Sequence, residues 1–71
     1  MKHFLVFNRT DGILANPRLM TLEEAEVFIR DFPKRYQQQG YYLTASRQRI
    51  PAEAVDLEIV DEEMNPVGFG E

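Results

Sequence analysis

Met20–Tyr42 reads MTLEEAEVFIRDFPKRYQQQGYY, and this stretch decides the fold. Thr21 is a good N-cap, and Glu24 stands three residues on, where its side chain returns to the Thr21 amide as a capping box. Leu22, Ala25, Phe28, Ile29, Phe32 and Tyr36 recur at helical spacing and form one apolar side. Glu23, Glu24, Glu26, Arg30 and Asp31 fall elsewhere and read as solvated. Glu26 with Arg30 and Asp31 with Arg35 stand four apart in the favourable orientation, each pair contributing about 0.2–0.5 kcal/mol. Early acids and late bases suit the helix dipole. Pro33 removes the bond to the Ile29 carbonyl and clashes there, at a cost of about 3 kcal/mol inside a helix. An interruption is therefore expected near Pro33, with helical structure on both sides. Gly40 is placed to take the left-handed turn that ends the segment.

Upstream, His3–Asn8 is aromatic and branched and predicts a strand. Its four consecutive apolar residues, Phe4–Phe7, suggest that both faces are largely covered. Arg9-Thr10-Asp11-Gly12 is a turn, with Gly12 free to adopt positive φ. Ile13-Leu14-Ala15 predicts a short second strand ended by Asn16-Pro17, and Leu19 or Met20 can staple onto the helix start. Downstream, the period becomes two. Tyr41, Leu43 and Ala45 alternate with Tyr42, Thr44 and Ser46, whose hydroxyl-bearing members read as the outward face. Ser46–Arg49 turns the chain, Ile50 returns it inward, and Pro51–Ala54 predicts one helical turn with Pro at its head. Val55–Asp61 alternates again, with Val55, Leu57 and Ile59 inward. The order is β-β-α-β-β, which predicts an α+β domain over residues 1–61 with one helix on one face of a mainly antiparallel sheet. Residues 62–71 carry two Gly, a Pro and no period, and predict a mobile acidic tail.

Composition narrows the functional classes. The chain has 71 residues, too few for a second domain. It has no cysteine, which removes disulfides, thiolate metal sites and Cys nucleophiles. The net charge of −4 argues against general nucleic-acid binding. That charge is unevenly spread. Arg30–Pro51 holds Arg30, Lys34, Arg35, Arg47 and Arg49 against Asp31 alone. Ala52–Glu71 holds seven acids and no base. No stretch reaches the about 20 apolar residues of a membrane span. The start, Met1–Phe7, lacks the apolar run and cleavage site of a signal peptide, so a cytoplasmic location is expected.

Chemistry-bearing residues are sparse. His3 is the one histidine and reads as a strand residue on a partly exposed face, with no second His or Cys to complete a metal site. Asp61-Glu62-Glu63 reads as a solvated strand end without calcium-loop spacing. The hydroxyls of Thr10, Thr21, Thr44 and Ser46 have no activating base in sequence, and the isolated glycines make no phosphate loop. No cofactor, metal or catalytic residue is expected. Two features stand out. Arg30, Lys34, Arg35, Tyr36, Tyr42, Arg47 and Arg49, with Tyr41, are candidates for one basic–aromatic partner surface, since Tyr and Arg dominate binding hot spots. In the tail, Met64, Pro66, Val67 and Phe69 stand among acids and could anchor in a partner's groove. The reading that follows is a non-catalytic protein-binding or adaptor module, able to form a homodimer through opposite-charge halves. The alternative is a nucleic-acid-associated protein that stacks single strands on the same patch.

Overall fold

A computed structural model describes residues 2–67. Its elements are strands β1 (Phe4–Asn8) and β2 (Ile13–Met20), helix α1 (Leu22–Asp31), a 3-10 helix (Phe32–Tyr36), strands β3 (Tyr42–Leu43) and β4 (Arg49–Ile50), a 3-10 turn (Ala52–Ala54) and strand β5 (Leu57–Asp61). One helix packs against an antiparallel sheet of order β2-β1-β5, an α+β architecture. The four expected strands after and before the helix do not make one sheet. β3 and β4 pair only with each other, as a separate two-stranded ribbon.

The helix begins as its sequence dictates. The Thr21 amide donates to Glu24 Oε1 at 2.9 Å, and the Glu24 amide donates to Thr21 Oγ1 at 3.1 Å. These bonds, the Thr21 amide first, hold the Glu24 carboxyl below its ordinary pKa. Met20 precedes the cap and is buried in the same cluster as Ala25 in the first turn, as a hydrophobic staple requires. α1 stops at Asp31. The Ile29 carbonyl, which Pro33 cannot serve, accepts from the Phe32 N–H instead. The chain continues as a 3-10 helix with Pro33 in its first turn and closes at Gly40, where φ is +84° and the amide donates to the Tyr36 carbonyl. This tightening also re-sorts the ion pairs. A 3-10 turn takes 3.0 residues, so position i+3 overlies position i. Lys34 Nζ therefore reaches Asp31 Oδ1 at 3.4 Å, where Arg35 was expected, and Arg30 turns to the same oxygen at 3.6 Å rather than to Glu26.

The second strand is longer than its sequence suggests. Asn16-Pro17 does not end β2 but marks an irregularity inside it. β1 residue Phe7 pairs with Leu14, Val6 with Asn16 and Phe4 with Met20, so β2 spends extra residues at two places. Asn16 Oδ1 accepts from the Arg18 amide across Pro17. Proline is tolerated here because β2 is an edge strand with no ladder to supply on its outer side. The β1–β2 loop is four residues long, closed by the Gly12 amide on the Asn8 carbonyl, with φ +71° at Gly12.

Val6, Met20, Ala25, Phe28, Phe32, Val55 and Ile59 form the buried core. Val6 and Ile59 are register partners on the helix side of the sheet, and Leu5 and Val60 are buried partners on the other side. After β5, Asp61 Oδ1 accepts the amides of Glu63 and Asn65. The chain then turns back, so that Val67 donates to the Ile59 carbonyl and packs on the core. Thus 62–67, assigned by sequence to the tail, lies along the outer edge of β5. Phe69, the other apolar tail anchor, lies outside the described residues.

Removing the Phe32 ring should cost about 3–5 kcal/mol, a large share of the total for a domain of this size. Phe32→Ala should abolish cooperative thermal unfolding, read by near-ultraviolet circular dichroism. Thr21→Ala, which loses only the cap, should cost about 1 kcal/mol and melt cooperatively.

Candidate interaction surface

The sequence candidates divide into a buried aromatic set and an exposed basic set. Phe32 is the hub of the first. Its ring centroid lies 5.2 Å from Tyr36 and 5.7 Å from Tyr42, and Tyr36 stands edge-on to Tyr42 at 5.1 Å. Both tyrosines pack against the core and are only partly exposed. Part of each ring is therefore turned to Phe32 and part is left exposed.

The Tyr42 hydroxyl is fixed as firmly as its ring. It donates to Asp11 Oδ2 and accepts from Asn8 Nδ2 at 3.0 Å. Asn8 is 2% exposed, and its Oδ1 accepts from the Asp11 amide. Asp11 Oδ1 accepts from the Ala45 amide at 2.9 Å. Four groups thus tie the β1–β2 loop to the β3–β4 ribbon. Burial, then the hydrogen bond to Asp11 and its charge, push the Tyr42 phenol up to about 12.

From Ala45 to Arg49 the ribbon, or arm, is exposed, although the Ala45 amide holds its turn against Asp11. Over Tyr41–Ser46 the expected alternation does not hold throughout: Ser46 is exposed as expected, but Leu43 and Thr44 are reversed. Leu43 is 50% exposed, whereas Thr44 is buried. The reason is local. Thr44 Oγ1 accepts from the Gln48 amide and bonds Ser46 Oγ, so its side chain stitches the turn. Leu43 then falls on the side away from Phe32. At the tip, Arg47 has φ +65°, a left-handed conformation for which glycine is the ordinary residue. Arg49 lays its guanidinium 4.8 Å from the Tyr41 ring centre. Arg47 and Arg49 thus share the arm with Leu43 and Tyr41. Arg30 and Lys34 sit on Asp31, and Arg35 covers Phe28 at 4.5 Å. The seven candidates therefore form no single patch: three basic side chains are engaged at the helix end, two tyrosines are half-buried against Phe32, and Arg47 and Arg49 remain on the arm.

Open clefts flank the fold, and two are of comparable size. One, of about 460 Å³, is lined by Lys2, His3, Phe4, Asp61, Glu62 and Val67, among others. His3 Nδ1 lies 4.0 Å from Glu62 Oε1, and both side chains are substantially exposed. Asp61 is already occupied by the turn it caps. Among the described residues, no group of three acidic or histidine side chains could hold a metal ion. The other cleft, of about 470 Å³, runs beside α1 over Met20, Val27 and Phe28, with Glu23 and Asp31 on its rim and Arg35 at its end. Sequence reading missed it, because Val27 falls outside the apolar stripe. Its exposure on an acidic helix was the available signal.

Alkali should test the Tyr42 tie. The folded state holds the phenol proton more tightly than the unfolded chain, whose tyrosine pKa is about 10. The stabilisation is complete below about pH 10 and is lost as pH rises towards 12. The urea midpoint of the native chain should fall over that window. In Tyr42→Phe it should start lower, by about 1–3 kcal/mol for the two polar groups left without a partner, and the decline should be correspondingly smaller.

No protein-family model matches the chain, and comparison with the curated proteins and with the solved structures found no match. Among the described residues, no helix is long and apolar enough to cross a membrane.

Proposed function

We propose that the protein is a non-catalytic binding module whose β3–β4 arm, residues 41–50, docks on an acidic protein surface with an apolar centre. The observation that carries this reading is Arg47. A long cationic side chain occupies the left-handed tip position of an exposed hairpin, where glycine would be unstrained. Strain of this kind costs on the order of 1–3 kcal/mol and clusters at functional positions.

Charge and shape support the same reading. From Phe32 to Ala52 the chain has four bases and no acid, inside a protein of net charge −4. The arm offers Leu43 as an apolar contact, with Arg47 and Arg49 as bases beside it. The Tyr42 tie fixes its root, so little ordering entropy remains to be lost on docking. Single-stranded nucleic acid fits less well. Tyr36 and Tyr42 are committed to Phe32, and the Tyr41 face is covered by Arg49, which leaves little open ring for base stacking. The hydroxyls of Thr44 and Ser46 bond each other, and His3 Nδ1 lies 4.0 Å from Glu62, an arrangement that lends a catalytic reading no support.

The test separates strain from contact. Arg47→Gly should melt at an equal or higher temperature, because it relieves the tip, yet it should weaken capture of protein partners from a native-host lysate. Arg47→Glu with Arg49→Glu should abolish capture with an unchanged far-ultraviolet spectrum. Undiminished capture by the double variant would remove the arm from any binding role.

A further inference from the structure

We infer that the acidic surface the arm recognises is present on the chain itself, and that two copies form a two-fold dimer with each arm seated in the other's α1 groove. This rests on the arm reading above and names its partner. Met20, Val27 and Phe28 line the groove; Val27 is 42% exposed, while Met20 and Phe28 are buried and Arg35 lies over the Phe28 ring. Its charge is polar along its length. Asp31 is neutralised by Arg30 and Lys34, and Arg35 closes that end. The other end carries Glu23 and Glu24, the latter with Oε1 accepting from the Thr21 amide. The groove is thus apolar in the middle and negative at the helix start.

The arm is its complement. Leu43 matches the exposed Val27, and Arg47 and Arg49 match Glu23 and Glu24. The positive groove end at Arg35 repels an arm entering in the opposite sense, so orientation is specified as well as contact.

Two-fold closure requires that arm and groove be reachable from one side of the molecule, because in such an interface the same patch serves both copies. The two are near neighbours in the chain: Arg35 lines the groove end, and the next residue, Tyr36, stands 5.1 Å from Tyr42 at the root of the arm. The inferred axis lies near this junction. Docking would cover Val27 and Leu43, two of the large apolar side chains this small domain leaves in water.

Sedimentation equilibrium of the full chain tests this. The expected mass is twice 8.3 kDa, falling towards that of one chain as salt is raised or the sample diluted. Arg47→Glu with Arg49→Glu, and separately Glu23→Lys with Val27→Lys, should each be monomeric. Mixed together they should form a heterodimer, because the reversed arm meets a reversed groove while the other arm and groove are native. A native chain that stays monomeric at low salt, or a mixture that stays monomeric, overturns the inference. Should a groove variant fail to fold, dilution of the unmodified chain followed by amide shifts decides: changes confined to residues 20–35 and 41–50 support it, and changes centred on the β2 edge overturn it. A monomer that still captures a different protein through Arg47 and Arg49 defeats the dimer and leaves the arm reading standing.

Discussion

The hydroxyl of Tyr42 is the point on which the two halves of the structure depend. The β1–β2–β5 sheet and the helix are joined by apolar packing, which is non-directional. The β3–β4 ribbon has only two residues in each strand, far too few to be stable alone. Its position is set by directional bonds: Tyr42 to Asp11 and Asn8, and the Ala45 amide to Asp11. The ring of Tyr42 meanwhile lies against Phe32 and Tyr36. One side chain thus anchors the ribbon to the core with its face and to a loop with its edge. A phenylalanine would keep the first attachment and lose the second.

Pro33 decides which base meets Asp31. An uninterrupted α-helix would advance 100° per residue through Phe32 and Tyr36 and keep Arg35 over Asp31. The change to three residues per turn brings Lys34 over Asp31 instead. Phe32–Tyr36 and Phe28–Arg35 keep the i,i+4 and i,i+7 neighbourhood of an α-helix, so the ion pair is what the proline re-sorts.

Features with short-range causes were legible in the sequence. The Thr21–Glu24 box, the break at Pro33, the positive φ at Gly12 and Gly40, the helical turn after Pro51 and the inward phase of Val55 and Ile59 each depend on residues within a few positions. What was not legible depends on distant partners. β2 runs through Pro17 because β1 supports it on one side and the other side is an edge. Tyr36 and Tyr42 are half-buried because they close a three-ring cluster with Phe32. Leu43 is outside and Thr44 inside because the turn from Thr44 to Gln48 uses the threonine hydroxyl. Of the candidate surface, the residue types were legible, but their grouping was not. Sequence distance does not distinguish a basic side chain lying on its own domain, as Arg35 does, from one at the tip of a projecting arm, as Arg47 is.

That distinction bears on how a net-acidic protein can bind through bases. Over the whole chain, excess negative charge opposes close approach of any acidic partner. Screening confines this repulsion to about 8 Å at physiological salt, so a base carried out on an arm is felt by the partner before the body is. Arg30 and Lys34 share the single carboxylate of Asp31, and Arg35 lies over Phe28 as Arg49 lies over Tyr41. Arg47 and Arg49 belong to an acid-free segment and stand on a ribbon whose root is rigid. On the proposed reading, the bases of residues 41–50 would offer an acidic partner a local attraction that the net charge of −4 does not.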